Sequence, residues 1–275
     1  WETVQVARHP NRPLASDYID MIVKNFAEVH GDRRFADDKA VRCGMGRIGT
    51  EKIMLIAQQK GRDTKEKIRC NFGMMHPEGY RKAERCMKMA EKFRLPIVSL
   101  MDTAGAYPGI GSEERGVAEA IAHSMFEMSR LRTPVVCVVI GEGGSGGAIG
   151  IGIGDRMAMF QYAYYSVISP EGCAAILWRT GEKASDAADA LGVTADRLQS
   201  LGVIDDIIAE PLGGAHRTPT EAAKNLERYV VGAVRRLKGK DTDRLLDERY
   251  KRWRKMGEVI ELQLQTQAKA AAPLS

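Results

Sequence analysis

The sequence has no cysteine pair in C-x-x-C spacing. Its five cysteines, Cys43, Cys70, Cys86, Cys137 and Cys173, are odd in number and widely spaced. That pattern argues against a zinc ribbon and a disulfide framework, and points to a reducing compartment. The five histidines, His9, His30, His76, His123 and His216, show no metal-ligand spacing, so no metal is expected in this chain. Long apolar runs are also missing. The longest, such as Pro134 to Ile140, is far too short to span a bilayer. No charged-then-apolar signal opens the chain, and a cytoplasmic location is expected. It starts at Trp1 rather than Met, as a chain without its leading segment would. Charge of one sign does not dominate: 41 Lys+Arg face 36 Asp+Glu, for a net +5. So mild a surplus does not suggest nucleic-acid binding, but it suits an anionic substrate or an acidic partner. No tandem repeat of fixed period is present.

What is there is 275 residues, 44% of them hydrophobic, enough for one elaborated domain. Residues 8–13 hold two prolines and must be extended or turned. Ser16 reads as a helix N-cap, followed by Ile19, Ile22, Val23, Phe26 and Val29 at helical spacing, with Gly31 as the stop. Residues 41–48 and 52–59 read as strands turning at Gly49-Thr50. A basic, glycine-containing stretch over 60–77 precedes a helix over 78–93, a buried strand over 97–101 and a helix over 112–131. Residues 134–140 form a near-continuous apolar strand, as in a sheet covered on both faces. Thr194 caps a short helix ending at Gly202, a strand follows over 203–208, and the tail from Leu245 is helical and basic, fraying over 268–275. Alternating strands and helices predict a layered α/β fold with right-handed crossovers.

The most informative segment runs from Pro134 to Phe160. There a buried strand enters five glycines within seven residues, Gly141 to Gly147, and then a helix. Glycine lets a ligand approach the main chain, and N–H groups at a helix start favour negative charge. Such a turn can bind a phosphate or an enolate-type oxygen. The spacing Gly141-x-Gly143-x-x-Gly146 fits the dinucleotide fingerprint. That fingerprint needs an acidic residue about 20 positions on. Residues 161–168 contain none. A P-loop would need Gly-Lys-Ser/Thr where Gly146-Gly147-Ala148 stands. A glycine-rich turn serving only close helix–sheet packing is a further reading.

Gly141 to Asp155 resembles the second oxyanion turn of the crotonase superfamily, and Ala195 to Ile208 resembles its helix, Gly, Leu-Val-Asp, strand segment. Several longer strings narrow the resemblance. They are residues 59–66 (Gln-Lys-Gly-Arg-Asp-Thr-Lys-Glu), Asn71-Phe72-Gly73-Met74, residues 77–82, Asp102-Thr103, residues 105–109, residues 113–116, Ser166 to Cys173 and Pro211 to Arg217. Together they resemble the alpha subunits of bacterial acetyl-CoA carboxylase carboxyltransferase, from Ala7-Arg8-His9-Pro10 to Arg249-Tyr250. One departure is Ala104, where the family usually has Pro.

The resemblance implies a crotonase-like (ClpP/crotonase) ββα superhelix with extra N- and C-terminal helices. Its expected divisions are a helical segment over 1–40, the carboxyltransferase domain over 41–240, and a C-terminal helix with a frayed tail over 241–275. It also implies transfer of a carboxyl group from carboxybiotin, held on a carrier protein, to acetyl-CoA, giving malonyl-CoA for fatty acid synthesis. A homologous beta subunit is implied, commonly as α2β2, which carries the zinc ribbon and most contacts to the CoA ester. Biotin carboxyl carrier protein and biotin carboxylase complete the larger complex. Carboxyl transfer builds negative charge on the ureido oxygen of biotin, which calls for N–H donors. Gly146 and Gly147 are the expected donors. Gly143, Gly144, Gly105, Ala106, Lys60, Gly61 and Arg62 are expected to line the cofactor site. Many hydratases of the superfamily place a catalytic Glu where Ile149 stands. An aliphatic residue there fits biotin acting, once decarboxylated, as its own base. Competing roles are a subunit of a biotin-dependent acyl-CoA decarboxylase and a non-catalytic scaffold, the latter having no use for donor glycines.

Other features have plainer explanations. Met87-Lys88-Met89 matches a biotin acceptor core but lies in a helix pattern, whereas a biotinylated lysine needs an exposed hairpin. Ser169-Pro170-Glu171 reads as an N-cap with proline in the first turn. Cys173 reads as a small buried thiol. The basic residues from Arg249 to Lys255 read as a solvated helix face.

Overall fold

The computed structural model describes residues 1–257. The chain starts with α1 (Glu2–Ala7), α2 (Ala15–Ile22) and β1 (Val23–Val29), followed by β2 (Val41–Ile48) and β3 (Glu51–Gln58). Next come α3 (Thr64–Arg69), α4 (Pro77–Lys92), β4 (Ile97–Thr103), α5 (Ile110–Glu114), α6 (Val117–Arg130), β5 (Val135–Gly144) and α7 (Ser145–Ile149). The remainder is β6 (Arg156–Phe160), β7 (Tyr164–Ser166), α8 (Pro170–Trp178), α9 (Ala184–Leu191), α10 (Ala195–Ser200), β8 (Asp206–Ile208), α11 (Pro219–Lys238) and α12 (Thr242–Arg254). One sheet orders the strands β1-β2-β3-β4-β5-β6-β8, with β7 pairing β5 off this path. The first three strands are antiparallel and the rest are parallel.

Every residue of β4 and β5 is buried, as an apolar strand covered on both faces requires. Helices α4 and α6 pack on each other, and α4 lies on β2 and β3. Helix α11 contacts α2, β2, β5 and β8. Its buried stripe is Ala222, Ala223, Leu226, Val230, Ala233, Val234 and Leu237, a spacing of one helical face. One core cluster joins α2, the sheet, α4, α6, α11 and Leu245 of α12.

The structure corrects several expectations. The helix expected to be capped by Ser16 starts two residues earlier, after Leu14, whose N–H donates to Asp17 Oδ2 at 2.7 Å. It ends at Ile22, and residues 23–29 are an edge strand paired with β2, so the segment 1–40 is not helical throughout. A bulge between Lys24 and Ala27, with Asn25 at φ +53°, spoils the alternation and leaves Val23, Phe26 and Val29 at a helical interval. Phe26 lies over Gly44, where a Cβ would come within 2.7 Å of its ring. The helix expected over 112–131 is split into α5 and α6 at Gly116, which takes φ +76°. The strand expected over 203–208 is reduced to Asp206–Ile208.

Other expectations hold. The hairpin of β2 and β3 closes at Gly49-Thr50, with Ile48 opposite Glu51. Ser169 Oγ accepts the Gly172 N–H at 3.0 Å and caps α8, with Pro170 at its start. Two do not: Cys173 is half-buried rather than buried, and the basic residues from Arg249 to Lys255 are not one solvated face, since Arg249 is buried and Arg252 pairs with Asp205. Lys88 sits inside α4 and pairs with Glu84 at 2.5 Å, not on a hairpin. The tail expected to fray, 268–275, lies outside the described residues.

Candidate functional site

The glycine-rich segment is not one turn. Gly141 to Gly144 extend β5, with Glu142, Gly143 and Gly144 paired to Tyr164, Tyr165 and Ser166 of β7. The register of β5 on β4 shifts between Met101 and Thr103, and the Glu142 N–H freed there donates to Asp102 Oδ1 at 2.9 Å. Only at Ser145 does the chain leave the strand. Ser145 takes φ +47°, a left-handed conformation that costs a non-glycine residue energy and redirects the backbone into α7.

Two close approaches fix the seat of the turn. A Cβ on Gly144 would lie 2.1 Å from the Ala104 carbonyl oxygen, and one on Gly147 would lie 2.3 Å from the Gly105 carbonyl carbon. The turn therefore rests flush on the loop of residues 104–106, and these two glycines serve backbone-to-backbone packing. Gly146 differs. A Cβ there would meet only Ile121 Cδ1, at 3.4 Å. As the second and third residues of α7, Gly146 and Gly147 carry N–H groups without i−4 partners inside the helix.

Two cavities border residues 142–146. The first, about 370 Å³, is lined by Ser145, Gly146, Ile149 and Tyr165, with Leu191, Leu198 and Val203 among its apolar walls. The second, about 420 Å³, is lined by Arg8, Lys60, Gly61, Asp102, Ala104 and Glu142 among others. The expected site residues are thus divided. Gly146 faces the apolar cavity, and Lys60 and Gly61 face the charged one. Gly143, Gly144, Gly147, Gly105 and Ala106 line neither: Gly144 and Gly147 form the packed seam with Gly105, Ala106 and the rest of their loop, and Gly143 packs against Tyr165 of β7. Arg62 points elsewhere, exposed and paired with Asp17 of α2.

The charged cavity holds a network for which the sequence carries no local signal. Glu142 accepts from Arg8 Nε at 2.7 Å, from the Tyr164 hydroxyl at 2.6 Å and from Lys60 Nζ. Lys60 also pairs with Asp102 at 2.8 Å, and Arg8 donates to Tyr164 Oη at 2.9 Å and to Glu171 at 2.5 Å. Burial works against the Lys60 charge, but Asp102 and Glu142 outweigh it and raise its pKa. Its ammonium is therefore occupied by two carboxylates of its own chain. Burial likewise opposes ionisation of Glu142, yet Lys60, Tyr164 and Arg8 lower its pKa from 4.5 to about 2.

A group whose pKa is depressed on folding stabilises the fold above its unfolded value, and that contribution disappears as pH falls through the folded one. Glu142 should thus support stability fully above pH 4.5 and lose that support on the way down to about pH 2. In denaturant titrations, Glu142→Gln is expected to flatten this part of the acid limb. An acid limb identical to that of the parent chain would show that Glu142 carries no such linkage.

Among the described residues, no group of three or more His, Cys, Asp or Glu could hold a metal ion. No described helix is long and apolar enough to cross a membrane.

The family described as acetyl co-enzyme A carboxylase carboxyltransferase-like matches residues 1–257. The chain is 58% identical over 261 residues to the acetyl-coenzyme A carboxylase carboxyl transferase subunit alpha of Thioalkalivibrio sulfidiphilus, covering 95% of this chain and 82% of the relative. It is 56% identical to the subunit of the same name from Rhodopirellula baltica, with the same coverage. In structure it is similar to transcarboxylase 12S with hydrolysed methylmalonyl-coenzyme A bound, at a TM-score of 0.70 and 18% identity, over 87% of this chain and 45% of that one. It is also similar to a chain of a Pseudomonas malonate decarboxylase hetero-tetramer in complex with coenzyme A, at a TM-score of 0.64 and 14% identity, over 86% and 91% of the two chains. These likenesses show the crotonase-like α/β fold.

Proposed function

The chain belongs to the acetyl-CoA carboxylase carboxyltransferase family, as an alpha-type subunit, and we propose from that membership how it shares the reaction with its partners. Its activity is carboxyl transfer to acetyl-CoA, exercised with a beta subunit. Carboxybiotin, presented by a carrier protein, supplies an activated carboxyl group when bound. The apolar cavity is the seat we assign to its ring system. The observation that carries this is Gly146, the one glycine of the turn that opens onto a cavity and leaves room where a side chain would stand. Tyr165, Leu191, Leu198 and Val203 give the apolar walls such a ring needs, and few polar groups intrude.

In this reading the Gly146 N–H, with that of Gly147 behind it, donates to the oxygen on which negative charge develops. Preorganised donors of this kind need no rearrangement as the charge appears. The seam against Gly105 and Ala106 keeps them in place. Ile149, on the same cavity, can neither take nor give a proton, so α7 holds and orients only. The CoA ester is assigned to the beta subunit, since Lys60 and Arg8 are already neutralised by Asp102, Glu142 and Glu171. An α2β2 assembly, joined by the carrier protein and biotin carboxylase, completes the reading. Five free cysteines suit the cytoplasm.

The test is reconstitution. Mixed with a beta-type subunit, a carboxybiotin donor and acetyl-CoA, the chain is expected to yield malonyl-CoA, and alone to yield none. Robust malonyl-CoA formation by the purified single chain would refute the division of labour.

A further inference from the structure

We propose that Gln58 is a positioning residue for the glycine turn, clamping the turn and the loop beneath it through one side-chain amide. The inference rests on the reading that Gly146 and Gly147 donate to the reacting oxygen. Gln58 is the last residue of β3 and is wholly buried. The pairing of β3 with β4 ends at Ala57 opposite Leu100, and the Gln59 N–H turns away to the Ala40 carbonyl at 2.8 Å. Asp102, two residues further along β4, thus has no main-chain partner on β3. The Gln58 side chain fills this place, its Oε1 accepting the Asp102 N–H at 3.0 Å.

The other end of the amide meets the turn. The Gly150 N–H donates to Gly146 and the Ile151 N–H to Ala148, so the end of α7 passes over the Gly147 carbonyl. Gln58 Nε2 donates to that carbonyl at 2.7 Å and lies 3.4 Å from Met75 Sδ. Its orientation is forced, because an N–H must face its oxygen and a carbonyl its nitrogen. Helix α7 has five residues, too few to be stable by itself. Its place therefore depends on such ties. Gln58 bonds to Gly147 on one side and to the strand leading into Thr103, Ala104 and Gly105 on the other. Those are the two surfaces that meet at the seam.

Gln58→Glu tests the clamp with almost no change of size. When protonated, the introduced carboxyl can still donate to the Gly147 carbonyl. When ionised, it sets an oxygen against that carbonyl. Burial raises the pKa of such a group, so kcat of the reconstituted enzyme is expected to gain a falling limb between about pH 6 and about pH 9. Gln58→Met keeps the length and makes neither bond. It is expected to lose about ten- to a hundred-fold in kcat at every pH, with KM for acetyl-CoA unchanged.

Both are measured well below the melting temperature, with melting curves at each pH. The proposal is overturned if either folded variant keeps kcat within about two-fold of the parent across the range. It is equally overturned if the loss only tracks a fall in melting temperature. Failure of the parent reading shows separately, as a Gly146→Ala enzyme with unaltered turnover and unaltered KM for the biotin donor.

Discussion

Replacing Gly146 with valine is expected to cut carboxyl transfer by the reconstituted enzyme roughly a hundred- to a thousand-fold, as losing one oxyanion donor does, because the side chain keeps the reacting oxygen from the N–H groups it leaves in place. The melting temperature should stay close to that of the parent chain. Both halves follow from the same geometry. A Cβ at Gly146 finds only Ile121 Cδ1 at 3.4 Å, so the helix can accept it, but the added methyl groups occupy the cavity that Gly146 borders. Gly147→Val is the informative contrast. Its Cβ would fall 2.3 Å from the Gly105 carbonyl carbon and 2.8 Å from the Ala106 nitrogen, which are backbone atoms. That variant should lose stability by about 3 kcal/mol or more, with activity falling alongside it. If Gly146→Val left turnover near the parent value at an unchanged melting temperature, the turn would not be at the reacting oxygen.

The largest effect on stability is expected at Arg249, which lines neither cavity of the turn. Its side chain is 1% exposed. Nε and Nη2 donate to the two oxygens of Asp155 at 2.7 and 2.8 Å. Nη1 donates to the Met128 and Leu131 carbonyls at 2.8 and 2.9 Å, and Nη2 also to that of Thr133 at 3.0 Å. Asp155 in turn accepts the Val135 N–H at 2.7 Å, at the start of β5. One guanidinium thus joins α12, the end of α6 and the loops that lead into β5 and β6. Arg249→Ala leaves a buried carboxylate and three carbonyls without this donor, and removing one partner of a buried pair costs about 3–5 kcal/mol. Thermal melting should fall by about 10 °C, given roughly 2–4 °C per kcal/mol in a domain of similar size. A shift of only a degree or two would mean that α12 is docked by other contacts. Transfer activity below the melting transition should be retained.

The parts of the fold that were legible in sequence are those where local pattern and tertiary place agree. The β2–β3 hairpin alternates and closes on Gly49-Thr50, α4 carries a clear apolar face, and β4 and β5 are continuous apolar runs. Residues 23–29 misled because a bulge displaced the alternation that marks a strand. The break at Gly116 follows Ser112-Glu113-Glu114-Arg115, which carry no apolar period, so the glycine was the one local mark that the helix restarts at Val117. Residues 219–238 carry a readable helical signal, from Pro219 at the start through Ala222, Leu226, Val230 and Ala233.

The site was legible in its glycines but not in its partition. Sequence placed Gly146, Gly147, Lys60 and Gly61 together, while the structure sets Gly146 and Lys60 on different cavities. The network of Arg8, Lys60, Asp102, Glu142, Tyr164 and Glu171 unites residues up to 163 positions apart. Nothing in a linear pattern declares such pairing. The Arg8 string Ala7-Arg8-His9-Pro10 was visible only through resemblance to the family.

The most direct test of the glycine turn as the biotin half of the site is the steady-state kinetics of Gly146→Ala in the reconstituted enzyme. The biotin donor and acetyl-CoA are varied separately, with melting curves beside them. The account predicts that KM for the biotin donor rises and kcat falls, while KM for acetyl-CoA is unchanged. A rise in KM for acetyl-CoA alone, with the biotin donor unaffected, would contradict it.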